Sequence, residues 1–174
     1  MTEKSFVSSL AFVKQHFAEP MKSQGIGTEQ IRASLFGNLE VLYNIHGGIL
    51  SRLENVMKTW SYSATIGETF IDIAPTLTEA HVSYALNYPK ALDSLKALES
   101  DKAAQSLFAS ASALPESKGR FLRDFLIMPI QRPPRYALLI RELNKFTAPG
   151  SREKDLIAQA AAAIDTVLEK VNSQ

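Results

Sequence analysis

Leu39-Glu-Val-Leu-Tyr-Asn-Ile-His-Gly-Gly-Ile-Leu-Ser-Arg-Leu-Glu-Asn-Val-Met-Lys58 carries the strongest structural signal in the chain. Leu39, Leu42, His46, Ile49, Leu53 and Val56 follow one another at steps of three and four, a spacing that lines one face of a helix and scatters over both faces of a strand. Upstream, Thr28 is the expected N-cap of this pattern, and Phe6, Leu10, Val13 and Phe17 form an earlier helical stripe that Pro20 should end. Downstream, Ile66, Phe70, Ile73 and Leu77 keep the rhythm. Pro75 lacks a donor and is expected to kink or divide that helix near Ile71 to Ala74, and Pro89 to begin a new turn. Residues 90 to 111 read as one or two further amphipathic pieces, and Pro115 to Gly119 as a connection.

The segment from Phe121 to Thr147 contains Pro129, Pro133 and Pro134, so propensity breaks it into a short apolar piece and a later helix. In the later helix Tyr136, Leu139, Leu143 and Phe146 share one stripe, and Arg135, Leu138, Glu142 and Lys145 another. Ala148-Pro149-Gly150 closes it. Ser151 caps a last helix with Ile157, Ala160, Ile164, Val167 and Val171 facing inward, and the run Ala160 to Ala163 suits close helix approach. Strict alternation and Asn-Gly or Asp-Gly turns are absent. The expected fold is all-α: an elongated bundle of about six main helices, kinked near Pro129 to Pro134.

A chain of 174 residues, 45% hydrophobic and 21% charged, has the composition of one globular domain that buries a sizeable core. The absence of cysteine removes disulfides, thiolate zinc sites and cysteine nucleophiles together. Neither a spanning helix nor a signal peptide can be drawn, and the expectation is a cytoplasmic protein without membrane insertion. A net charge of +1 argues against a nucleic-acid coat. Residues 118 to 145 nevertheless hold seven bases against two acids, interleaved with Phe121, Phe125 and Tyr136. They form either a solvated helix face or a partner-binding surface; an RNA-binding helical protein is the reading from a different class.

No bond-making chemistry emerges. His16, His46 and His81 form no ligand pair, and His46 on its apolar stripe reads as a core histidine with one nitrogen satisfied. Gly47-Gly48 has no phosphate-loop context and is expected to let a neighbouring helix come close. Gly-x-Ser-x-Gly is absent, and Glu153 and Asp155 look like ordinary first-turn acids. The residues imply neither a metal nor a cofactor.

Phe125-Leu-Ile-Met-Pro-Ile-Gln-Arg-Pro-Pro-Arg-Tyr-Ala-Leu-Leu-Ile-Arg-Glu-Leu-Asn-Lys-Phe-Thr147 resembles the third signature region of Dbl-homology domains, the exchange modules for Rho-family GTPases. Thr2-Glu-Lys-Ser-Phe-Val7 is similar to the opening of that family, Leu35-Phe-Gly-Asn-Leu-Glu-Val-Leu-Tyr-Asn-Ile-His46 to its next helix, and Ile66-Gly-Glu-Thr-Phe70 and Tyr84-Ala-Leu-Asn-Tyr88 to its middle. The resemblance covers the whole chain and implies one Dbl-homology domain over residues 1–174, with no pleckstrin-homology domain in this chain. Phe6 stands where the family more often has tyrosine, and Pro133-Pro134 departs from the usual single proline or none.

The resemblance also implies a function. It is a guanine-nucleotide exchange factor that binds a Rho-family small GTPase (Rho, Rac or Cdc-like), remodels its switch regions and magnesium site, and promotes GDP release without covalent chemistry. The alternative is an exchange-inactive GTPase- or protein-binding helical module. By position, Glu3 would accept hydrogen bonds from switch I, Arg135 and Asn172 would engage switch II, and Gln131 and Leu138 would line the same face. Leu138 or its neighbour Ala137 would tune which GTPase fits. This arrangement expects an exposed carboxylate, a cation and an amide on three helices. The chain is expected to be monomeric by itself, with any membrane recruitment supplied by regions outside it.

Overall fold

The computed structural model describes residues 3–61 and 64–173; Thr2 of the opening motif lies outside them. Among the described residues every regular element is helical. The elements are α1 (Glu3–Val13), a π-helical turn (Lys14–Ala18), α2 (Glu19–Ser23), α3 (Glu29–Phe36), α4 (Leu39–Lys58), α5 (Gly67–Ala97), α6 (Lys102–Ser112), a 3-10 turn (Pro115–Ser117), α7 (Leu122–Leu126), α8 (Met128–Phe146) and α9 (Arg152–Asn172). Thr28, Asp101 and Ser151 cap α3, α6 and α9 through side-chain oxygens. Residues 115–119 are the expected connection, with Lys118 and Gly119 both at positive φ.

Helix α5 organises the bundle. Its 31 residues extend over about 46 Å at 1.5 Å each, and it packs on α3, α4 and α9. Phe70, Ala74 and Leu77 belong to a core shared with Tyr136 and Ile140 of α8 and Ala160, Ile164 and Val167 of α9. Ala80 and Tyr84 belong to a second core with Phe6, Leu10 and Phe17, Leu42 of α4, and Phe125 and Leu126 of α7. Two cores strung along one helix give the elongated bundle. Ala160 is fully buried against this seam, as the alanine run predicts.

The prolines act differently from the sequence reading. The first helical rod does not stop at Pro20 but runs to Ser23. Just before the proline the backbone widens into the π turn, where Glu19 donates its N–H to Lys14, five residues back, so the Pro20 ring escapes the usual collision with the preceding turn. Nor does Pro75 divide α5 or Pro89 start a new helix; both lie inside one continuous helix, on exposed positions. Each proline costs about 3 kcal/mol, whereas burying each of Phe70, Leu77 and Tyr84 returns about 1.5–3 kcal/mol, so packing outweighs propensity. In the third signature region the break falls at Ile127, and Pro133 and Pro134 sit within α8.

The glycines correct the reading again. A Cβ at Gly47 or Gly48 would meet nothing within 4 Å, so neither admits a neighbouring helix. The close approach is at Gly67, where a Cβ would lie 2.6 Å from the Leu156 backbone of α9. Glu153 is more than a first-turn acid of its own helix: its Oε1 accepts the N–H groups of Ile66 (2.8 Å) and Gly67 (3.2 Å), capping the start of α5.

Candidate functional site

Helix α8 presents two contrasting faces. Inward lie Arg132, Pro133, Tyr136, Ala137 and Ile140, packed on α5 and α9. Outward lie Gln131, Arg135 and Leu138, at steps of four and three on one exposed stripe. Leu138 is 61% exposed, a large apolar side chain left uncovered. The stripe expected from Tyr136, Leu139, Leu143 and Phe146 splits, since Leu139 is largely exposed and Phe146 is 85% exposed. Helix phase is set by where α5 and α9 lie, which shifts the buried face toward Ala137 and Ile140. Buried Ala137 therefore cannot share an outer role with Leu138. Asn172 is exposed, at the last residue of α9.

Glu3 departs from the expected exposed carboxylate. It is 7% exposed and faces into the bundle. Arg132 donates from Nη2 to Glu3 Oε2, Tyr136 donates its hydroxyl to the same oxygen at 2.6 Å, and Glu3 Oε1 lies 2.8 Å from His46 Nδ1. The arrangement follows from register. Arg132 and Tyr136 are one turn apart on the inner face of α8, and both reach the first turn of α1, while His46 arrives from α4. Arg132 further stands over the Phe6 and Tyr136 rings, at 5.2 and 4.4 Å. A buried charge is tolerable when it is paired in this way.

The network continues beyond Glu3. His46 has both nitrogens engaged, because Nε2 lies 3.0 Å from Nε2 of buried His81 on α5. Burial pushes the Glu3 carboxyl up, but the His46 contact and the charges of His46 and Arg132 outweigh it and hold the pKa below the ordinary value. Burial lowers His46, against the opposing pull of Glu3. Burial and the neighbouring His46 lower His81 to about 3. Burial and the Glu3 charge raise Tyr136 well above its usual range.

Arg132, Tyr136 and His81 do not appear among the sequence-derived site residues. Arg132 and Tyr136 sit inside the quoted signature and alternate with Gln131 and Arg135, so helical phase could have flagged them. No sequence signal marks His81. Much of the basic stretch is engaged by other residues of the chain: Arg120 folds over the Phe125 ring at 4.5 Å, and on the surface Arg141 pairs with Asp165 at 2.6 Å. Arg135 is a cation that remains exposed beside Leu138. Among the described residues no group of three or more His, Cys, Asp or Glu could hold a metal ion, and no helix is long and apolar enough to cross a membrane.

The described residues form an all-α bundle whose proline-bearing helix has a buried polar inner face and an open outer stripe. The RhoGEF domain model matches residues 1–172, and the chain belongs to the RhoGEF family. It is 27% identical to mouse Protein ECT2, aligning over 98% of this chain and 19% of that protein. It is 32% identical to Guanine exchange factor for Rac 30 of Dictyostelium discoideum, over 99% of this chain and 10% of that protein. The chain thus spans a fifth or less of the length of these relatives. A solved structure of the Vav1 exchange factor superposes with a TM-score of 0.87 at 27% identity, covering 98% of this chain and 46% of that one. The DH/PH fragment of PDZRHOGEF, solved in complex with human RhoA, shares the fold with a TM-score of 0.91 at 22% identity, covering 99% and 50%.

Proposed function

We propose that this chain is one guanine-nucleotide exchange domain that binds a Rho-family small GTPase, opens its switch regions and magnesium site, and promotes GDP release for GTP loading. The observation that carries the reading is the RhoGEF match over residues 1–172 together with the exposed stripe Gln131, Arg135 and Leu138 on the helix that bears the signature. On this reading Asn172, exposed at the end of α9, serves the same partner, and Glu3 in the first turn of α1 is bound to the inner face of α8. A cation, an amide and an uncovered leucine make a directional contact set for a protein partner. Factor and nucleotide bind the GTPase with negative, reciprocal coupling. Speeding release about a thousandfold requires lowering the barrier by about 4 kcal/mol, within reach of a few charge-assisted contacts and an apolar anchor. The chain acts by non-covalent stabilisation of an open partner, without a bond-breaking centre.

The test is release of fluorescent GDP from a panel of Rho-family GTPases by catalytic amounts of the domain. Acceleration on at least one member supports the reading, and none across the panel removes it. The burial of Glu3 favours one second reading, a GTPase-binding module without exchange activity. Tight complex formation with an unchanged release rate selects it.

A further inference from the structure

A groove of about 890 Å³ lies between α1 and the connection that precedes α7. On the α1 side Lys4, Ser8, Phe12 and Gln15 follow one another at steps of four and three, and the His16 ring rests tilted on Phe12 with centroids 4.5 Å apart. The opposite wall carries Glu116, Lys118 and Arg120. Three cations thus stand against one carboxylate among the described residues of the lining, which leaves +2. The volume is that of a small-molecule site, for which about 300–1,000 Å³ is usual.

Arg120 is fixed in this groove before any ligand arrives. Its Nε donates to the Ser117 carbonyl at 2.9 Å, its guanidinium covers the Phe125 ring at 4.5 Å, and Nη1 lies 3.5 Å from Ser9 Oγ and 3.6 Å from Met128 Sδ. Nη2 keeps two N–H groups without a partner among the described residues. Lys4 and Lys118 are exposed, and their ammonium groups likewise have no partner among the described residues, whereas Lys14, Arg141 and Lys145 elsewhere pair with Glu40, Asp165 and Glu142. The backbone at Lys118 is strained as well. Alone of the non-glycine residues described it has positive φ, at φ 55 and ψ 38, a left-handed conformation that glycine adopts freely and lysine does not. Strain of this kind collects at binding sites, and here it puts a cation where a glycine would be more stable.

The charges gather at one end of the groove. Arg120 reaches Ser9, and Lys4 stands five residues before Ser9 on α1, about 7.5 Å along the helix axis. Phe12 and His16 continue away from them. A side-chain carboxylate brings one charge and two oxygens to these cations, whereas a phosphate monoester brings about −1.5 to −2 and three acceptor oxygens. Guanidinium and ammonium groups together are the usual partners of such a phosphate. We propose that this groove binds a small phosphate-bearing molecule or head group, with the phosphate among Lys4, Lys118 and Arg120 and the rest of the ligand along Phe12 toward His16. The site stands on its own geometry, whether or not the chain acts on a GTPase.

The test is titration of the domain with inositol trisphosphate, followed by backbone-amide and arginine side-chain NMR. Saturable shifts are expected at Lys4, Ser8, Lys118 and Arg120, with the Arg120 Nε–H among them, and none from unphosphorylated inositol. Lys4→Gln and Lys118→Gly should each weaken binding about tenfold, the loss of one charge-assisted hydrogen bond. Lys118→Gly should melt higher than wild type, so its weaker binding is not unfolding, and Lys102→Gln, at an exposed lysine of α6, should bind as wild type does. Phosphatidylcholine vesicles with and without phosphatidylinositol bisphosphate separate the two sources. Sedimentation with the phosphorylated vesicles supports a membrane head group, and binding of the soluble trisphosphate alone supports a free ligand. Absence of both overturns the proposal, as does binding that Lys4→Gln and Lys118→Gly leave unchanged. If no phosphate binds yet both variants slow exchange on a GTPase, the groove meets an acidic segment of that partner instead, and the proposal is overturned while the proposed function stands.

Discussion

The two faces of α8 are made by residues that alternate within one signature, yet they follow opposite physics. On the inner face Arg132 and Tyr136 are buried and bound to Glu3. On the outer face Gln131, Arg135 and Leu138 stand in solvent, one position removed from buried neighbours. Inner residues fix where the helix sits and are costly to change, because each leaves a buried partner without its bond. Outer residues are available to a partner and should be cheap to change in the free protein. A motif that looks uniform as a string thus divides between a face that holds the fold and a face left open to solvent.

The sharpest way to break this contrast is Glu3→Ala, which strands Arg132 in the interior. It is expected to cost about 3–5 kcal/mol of stability, read by urea unfolding; a loss below about 1 kcal/mol would mean that the carboxylate is solvated in solution. Acid should act on the same face. His81 has a folded pKa of about 3, below the ordinary 6.5, so between those values the unfolded state binds more protons and stability falls as pH falls. From pH 7.5 to pH 4.5 the loss from this group is about 2–3 kcal/mol, and it should largely disappear in His81→Phe when each protein is compared with itself across pH.

Smaller effects sharpen the comparison from the outside. Gly67→Ala drives a methyl into the Leu156 backbone and should cost about 1–3 kcal/mol. Arg135→Ala and Leu138→Ala should each lower exchange by about tenfold, or about 1.4 kcal/mol in the barrier, while shifting stability by no more than about 0.5 kcal/mol. A large stability loss in either would show that the outer face is structural after all. Gly48→Ala, on an open and exposed helix position, should stabilise by about 0.5–1 kcal/mol, visible as a higher Tm.

Much of the architecture is legible in local pattern. The step of three and four through Leu39, Leu42 and His46, the Ser151 cap, and the inward stripe Ile157 to Val171 all correspond to observed elements. The misreadings share one cause. Pro20, Pro75, Pro89 and the Pro133-Pro134 pair are helix breakers by local rule, and each lies inside a helical rod because packing, or a π turn, outweighs one missing hydrogen bond. Gly47 and Gly67 look alike as letters, and only the position of α9 tells them apart. Glu3 was misread as exposed for the same reason, since its partners lie 43, 129 and 133 residues away along the chain.

Helical class and family membership were decided by the sequence alone, because periodicity and an ordered set of motifs are properties of neighbours along the chain. Which side chains of that motif face inward, which carboxylate is buried, and which two histidines join it were decided only when distant helices came together. Burial and hydrogen-bond satisfaction depend on atoms brought close in space, and separation along the backbone says nothing of them.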